Sequence, residues 1–162
     1  MTATLSGWTY QELLDKARRD LNRLQDARTA TKDDVYNFIC TAAPLWEWLD
    51  KDGRPAAKAA ADEMKAEFDA DPSHHPVQLV FDVFKGVKHV ERRNTSVKEK
   101  MIHTGTLGGG ATLRGNPAFT LQGGTVNVFM IEVDGEWQRL SDVGASAVAA
   151  WERVLTKHGL PI

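Results

Sequence analysis

A set of apolar residues recurs at helical spacing between residues 35 and 49 and predicts a long core helix. At 3.6 residues per turn these side chains fall on one face, roughly 120° wide. The members of this face are Val35, Phe38, Ile39, Ala42, Leu45, Trp46 and Leu49. Thr31 predicts the N-cap of the helix, with Asp33 and Asp34 in the first turn, where the helix dipole favours acids. Pro44 cannot donate a backbone hydrogen bond and predicts a kink.

A second amphipathic helix is predicted at residues 75–93, around the segment "FDVFKGVKHVERRN". Its apolar arc, roughly 160° wide, contains Val77, Leu79, Val80, Val83, Phe84, Val87 and Val90. Its opposite arc contains Gln78, Asp82, Lys85, Lys88, His89 and Arg92. Residues 85–100 include six Lys or Arg and two acids, so the end of this helix is basic. Two interpretations stay open, because cations near a helix C-terminus are favoured without any function, yet they also suit contact with an anionic ligand.

The other elements complete a mainly α fold. Further helices are predicted at about 9–27, 31–51, 55–70 and 141–158. The Thr9–Glu12 capping box opens the first, and Gly159 with Leu160 predicts a Schellman ending of the last. Between residues 97 and 140 we expect a β insert, because Asp134-Gly135 between β-formers is a strong hairpin signal. The chain is thus expected to be a single domain, 1–162, a bundle of about five helices with a β-hairpin or small antiparallel sheet before the last.

Composition narrows the function classes. The net charge of −2 and the isoelectric point near 6.2 argue against a protein that coats nucleic acid. Cys40 is the single cysteine, which excludes an intrachain disulfide and fits a reducing cytosol; we expect it to be buried and inert. No signal-peptide pattern and no membrane-spanning apolar run is visible, so a cytoplasmic location is predicted.

Motifs for catalysis or metal binding are weak. The segment 105–110, "GTLGGG", lacks the lysine and the Ser/Thr of a P-loop. The five histidines (74, 75, 89, 103 and 158) show no zinc-ligand spacing. We therefore expect no metal and no cofactor. The glycine-rich segment 104–117 has too little apolar content to pack, so it is predicted to be mobile or ordered by a partner chain.

Two segments, "DVYNFICTAAPLWEWLDKDG" (34–53) and "VFDVFKGVKHV" (80–90), resemble an uncharacterised family of small helical bacterial and phage proteins. The matching positions are Asp34, Tyr36, Asn37, Phe38, Thr41, Ala42, Leu45, Trp48, Asp82, Gly86, Lys88 and His89. Pro44 and Glu47 replace the histidine and the aspartate that are usual in the family. The resemblance implies a helical fold and no known activity. It also implies that Asn37, Thr41 and Trp48 face Asp82, Lys88 and His89 in one polar network across a helix pair.

An enzymatic alternative comes from Arg153 to His158, "RVLTKH". This spacing is similar to the Arg–His pattern of HEPN ribonucleases, which are also small helical bundles. The resemblance implies metal-independent RNA cleavage by general acid–base chemistry. Val154 follows the arginine where the HEPN family usually has a polar residue.

The preferred prediction is a non-catalytic binding protein that uses the basic helical face and the glycine-rich β insert at residues 97–140, called the β arm. Its expected partner is a macromolecule or a small anionic ligand, and the β arm is a candidate homo-oligomer contact. The candidate binding residues are Asn37, Trp48, Asp82, Lys85, Lys88, His89, Arg92 and Arg93. On the helical wheel, Lys85, His89 and Arg92 point to solvent, whereas Lys88 lies at the apolar boundary, where Asp34 or Asn37 could pair with it.

Overall fold

A computed structural model describes residues 9–88, 103–107 and 126–162 of the chain. In this part the chain forms six helices and three strands. The elements are α1 (Tyr10–Gln25), α2 (Lys32–Ala42), α3 (Leu45–Lys51), α4 (Pro55–Ala70), α5 (Pro76–Lys88), β1 (His103–Leu107), β2 (Val126–Val133), β3 (Glu136–Arg139) and α6 (Leu140–Lys157). The predicted class, a mainly α bundle with a small antiparallel sheet before the last helix, is confirmed.

Local signals set the helix boundaries as expected. Thr9 and Thr31 cap α1 and α2 through capping boxes, in which each threonine oxygen accepts from the N3 amide. Gly53, at φ +83°, follows α3, and Pro55 opens α4. At the end of α6 the amide of Leu160 donates to the Leu155 carbonyl at 2.9 Å, which is the predicted Schellman bond.

The predicted helix 31–51 is two helices rather than one. α2 ends at Ala42 and α3 begins anew at Leu45. Pro44 lies between them and has no amide hydrogen to continue the ladder. Leu45 and Leu49 of α3 are buried together with Phe38 and Ile39 of α2, so the apolar face predicted across residues 35–49 continues past the interruption.

Four helices form a closed ring around the core. α1 packs on α2, α2 on α5, α5 on α6 and α6 on α1, while α3 and α4 cover one side. The largest fully buried side chains include Trp151, Tyr10, Phe38, Leu14, Ile39 and Leu45. An apolar cavity of about 10 Å³ remains between α1, α2, α5 and α6, enough for one water-sized sphere and too small for a ligand.

The sheet has the order β1-β2-β3, and both pairs are antiparallel. Asp134 and Gly135 form the β2–β3 turn with φ of 50° and 88°, as the hairpin signal predicts. β2 and β3 pack on α6, which follows β3 directly. Residues 104–107 of the glycine-rich segment pair with β2 of the same chain. The prediction that this segment is mobile or ordered by a partner is wrong for these four residues, because backbone pairing needs no apolar side chains; residues 108–117 lie outside the described part.

No helix in the described ranges is long and apolar enough to cross a membrane.

Cys40 is half-buried rather than buried, because it lies one turn after Tyr36 at the edge of the α2 core face. Tyr36 is exposed, and a side-chain hydrogen bond to Cys40 raises the pKa of its phenol.

Candidate functional site

The outer edge of α5 brings together Phe81, Phe84 and Lys85, which we call the α5 edge. The two phenylalanine rings are half-buried against the core, with centroids 6.3 Å apart. The Lys85 ammonium lies 4.4 Å from the centroid of the Phe81 ring, within cation–π distance. Lys85 itself is exposed, as the wheel predicted. The α5 edge therefore presents a lysine ammonium over a phenylalanine ring at the bundle surface.

Asp82 directly follows Phe81 of this edge, but its side chain is buried rather than exposed. The wheel assigned it to the charged arc, whereas the structure buries it to 3% exposure. The Gln78 side-chain amide donates to Asp82 Oδ1 at 2.8 Å. The wheel placement is wrong because α5 is covered by α2 on one flank and by α6 on another, so its buried arc is wider than its apolar arc. Burial gives Asp82 a structural environment rather than a solvent-facing one.

Thr41 faces α1 and not α5. The Lys16 ammonium donates to Thr41 Oγ1 at 2.7 Å and to Asp20 Oδ2 at 2.5 Å. The Thr41 hydroxyl lies 2.7 Å from the carbonyl oxygen of Asn37. The network expected across α2 and α5 is therefore wrong for Thr41, whose partners come from α1.

The other two members of the expected set differ in exposure. Asn37 is exposed, and Trp48 is half-buried on α3, against the core. Asp34, proposed as a partner of Lys88, bonds to Thr31 in the capping box, which lowers the pKa of its carboxyl.

The Lys16–Asp20–Thr41 network was missed at the sequence level, although a signal for it exists. Asp20 lies in the buried stripe of α1, seven residues after Leu13, three after Ala17 and four before Leu24. An acid in an apolar stripe needs a partner when it is buried. Lys16, one turn earlier, is the natural local candidate. Only packing against α2 adds Thr41.

Two carboxylates of α4 contact the side chains of Arg153 and His158: Glu67 contacts Arg153, and Glu63 contacts His158. Both terminal nitrogens of Arg153 donate to Glu67, at 3.0 and 2.5 Å. His158 Nε2 lies 2.8 Å from Glu63, which also accepts from Lys157. Arg153 lowers the pKa of Glu67, with a smaller contribution from His75, and Lys157 with His158 lowers that of Glu63. These contacts join α4 to α6.

The side chains of four candidate binding residues lie outside the described part of the chain. Lys88 closes α5, but its side chain lies outside the described part, as do His89, Arg92 and Arg93. The proposed pairing of Lys88 with Asn37 or Asp34 stays a prediction. In the described ranges no three His, Cys, Asp or Glu residues are grouped to hold a metal ion.

Comparisons with protein-family models, curated proteins and solved structures find no match to this chain.

Proposed function

We propose that this chain is a non-catalytic binding protein that contacts an anionic partner through the α5 edge and the basic segment that continues it. The observation that carries the proposal is the position of Lys85, whose exposed ammonium lies over the Phe81 ring. Within the described ranges, no carboxylate lies at salt-bridge distance from this ammonium, so its charge is open to a ligand.

A second lysine provides a structural contrast. The Lys65 ammonium on α4 also lies over a ring, 6.0 Å from the centroid of Phe68. Lys65, however, is paired with Asp69 one turn away. The two sites share an exposed lysine over a phenylalanine and differ in local neutralisation. An anion is therefore attracted more strongly to Lys85 than to Lys65, whose charge Asp69 partly neutralises.

The sequence after α5 strengthens this surface. Lys88, His89, Arg92 and Arg93 follow Lys85 within eight residues. Clustered cations raise the local concentration of an anion even when the net charge of the protein is slightly negative. Asn37 on α2 and Trp48 on α3 remain secondary candidates, and buried Asp82 supports the helix rather than the ligand.

The family resemblance, a cytoplasmic location and a bacterial or phage origin form part of the same proposal. The single cysteine supports a reducing compartment. The β arm is proposed as a contact between copies of the chain, since β1 is an edge strand of the described three-stranded sheet.

The test compares binding of a labelled mixed-sequence RNA oligonucleotide and of inorganic phosphate. The variants are Lys85→Ala, Lys65→Ala and Lys85→Ala with Arg92→Ala, at two salt concentrations. Lys85→Ala should weaken binding, the double variant should weaken it further, and Lys65→Ala should leave it unchanged. Binding should also fall with added salt. Lack of binding to either probe, or an equal loss in both single variants, would refute the α5 edge as the contact surface.

The same RNA experiment examines the ribonuclease alternative. With chelator present, cleavage that disappears in His158→Ala would favour a HEPN-like enzyme over a binding protein. Intact RNA at high protein concentration would favour the binding protein. Arg153 and His158 are held by α4 carboxylates in the folded chain, so cleavage would require them to leave these partners.

A further inference from the structure

One histidine joins the α4–α5 connection to the turn of the β-hairpin. His74 Nδ1 lies 3.0 Å from Asp71 Oδ1, at the end of α4. Its Nε2 lies 2.9 Å from Asp134 Oδ2, in the turn between β2 and β3. The imidazole thus bridges two carboxylates that are 63 residues apart in the sequence (134 − 71).

The bridge depends on a proton. An ionised carboxylate only accepts hydrogen bonds, and a neutral imidazole carries a single N–H. Both contacts can therefore be hydrogen bonds only when both ring nitrogens are protonated. After deprotonation, one ring nitrogen directs a lone pair at a carboxylate oxygen, and that contact becomes repulsive.

The His74–Asp71 and His74–Asp134 contacts differ in how firmly the rest of the chain holds the two partners together. Asp71 and His74 are three residues apart in one connection, where the His74 and His75 amides also donate to the Asp71 carbonyl, at 3.3 and 2.9 Å. Asp134 reaches His74 only through the fold. The weaker constraint on Asp134 makes its contact the one that breaks when the proton leaves.

The charged groups around His74 are few in the described part of the chain. Asp71 from the α4–α5 connection and Asp134 from the hairpin are the two that act on it. The next residue, His75, faces Glu67 of α4 instead, with Nε2 at 3.5 Å. All three side chains of the bridge are more than half exposed, so protons exchange freely with solvent.

We propose that His74 is a proton-dependent clasp that fastens the β2–β3 turn to the α4–α5 connection. The clasp is closed while the imidazole is charged and releases the turn when it is neutral. β2 and β3 keep their packing on α6 in both states, so release affects the hairpin tip and not the bundle. This inference goes beyond the proposed binding function and does not depend on it.

The direction of the pH effect follows from the neighbours. Hydrogen bonding to Asp71, and then to Asp134, raises the pKa of His74 above its ordinary value of 6.5. A group with a raised folded-state pKa stabilises the fold fully below its ordinary value and loses that contribution as pH rises through the folded-state value. The clasp is therefore closed in mildly acidic solution and open in alkaline solution.

The test is an NMR titration of the full chain, following the His74 ring nitrogens and the Gly135 amide. The variant is Asp134→Asn, because asparagine tolerates the positive φ of this turn position and its amide can pair with either form of imidazole. The control is Glu136→Gln, which removes an exposed acid beside the same turn.

In the wild type, the Gly135 amide should shift with the same midpoint as His74. Asp134→Asn should lower the His74 midpoint and abolish the coupled Gly135 shift, whereas Glu136→Gln should leave both in place. A His74 midpoint that does not change in Asp134→Asn, or a Gly135 amide that does not follow His74 in the wild type, would overturn the proposal.

Discussion

Gly144 of α6 lies directly against the ring of Phe38 on α2. A Cβ atom built on Gly144 would stand 2.7 Å from Phe38 Cε1 and 3.1 Å from a methyl of Leu21. Real Cβ contacts are longer than this, so the hydrogen of glycine is what permits α6 to approach the buried Phe38 ring. The two helices meet here across the centre of the bundle.

Gly144→Ala should therefore destabilise the protein despite the better helix propensity of alanine. Overpacking typically costs about 1–3 kcal/mol, and the propensity gain of about 1 kcal/mol offsets part of it. The free energy of unfolding in urea measures the difference. Ser146→Ala, an exposed change on the same helix, is the control. Adding Phe38→Leu should make Gly144→Ala less costly than in the wild type; equal costs in the two backgrounds would contradict a clash with this ring.

Gly159→Ala tests a different property of glycine. A Cβ at this position meets no atom within 4 Å, but the residue has a φ of +66°. The expected cost of about 1–2 kcal/mol is conformational, since L-residues disfavour this region. Asparagine tolerates it better, so Gly159→Asn should cost less than Gly159→Ala in thermal unfolding. Equal stability of all three proteins would show that the Schellman ending is unimportant.

The buried Asp20 should be sensitive to loss of its network. Asp20→Ala removes the carboxylate that accepts from the Lys16 ammonium at 2.5 Å and from the Thr41 hydroxyl at 3.1 Å, and the loss of hydrogen bonds to a charged group costs about 1–3 kcal/mol. Asp15→Ala, an exposed acid on α1, should change stability by less than about 0.5 kcal/mol. A double-mutant cycle with Thr41→Val should give a coupling energy of about 0.5–3 kcal/mol. Additive effects would mean that Asp20 and Thr41 do not interact.

The carboxylates that join α4 to α6 predict a pH dependence. Arg153 lowers the pKa of Glu67, and Lys157 lowers that of Glu63. A lowered folded-state pKa stabilises above the ordinary value of 4.5 and is lost as pH falls through the lowered value. Glu63→Gln with Glu67→Gln should reduce the loss of stability on acidification.

Urea midpoints measured on either side of the ordinary glutamate pKa check this expectation, with Glu136→Gln as the exposed control. The wild type and the control should lose more stability than the double variant when the solution is acidified. An equal loss in all three proteins would place the acid sensitivity elsewhere in the chain.

The features that depend on near neighbours could be predicted from local sequence patterns. The capping boxes at Thr9 and Thr31, the turn at Asp134-Gly135 and the Schellman ending at Gly159 each rest on a few consecutive residues. Lys85 was also placed correctly in solvent. Helical period and turn chemistry are sufficient for such predictions because the interacting groups are within about one turn of each other.

Which element covers each helix face depends on how the helices pack together. A helical wheel gives the direction of Thr41 and Asp82 but not the neighbour that lies there. Packing placed α1 beside Thr41, closed α2 and α6 over α5 around Asp82, and brought Glu67 to Arg153. These outcomes depend on contacts between residues distant in sequence, whose energies no local pattern encodes.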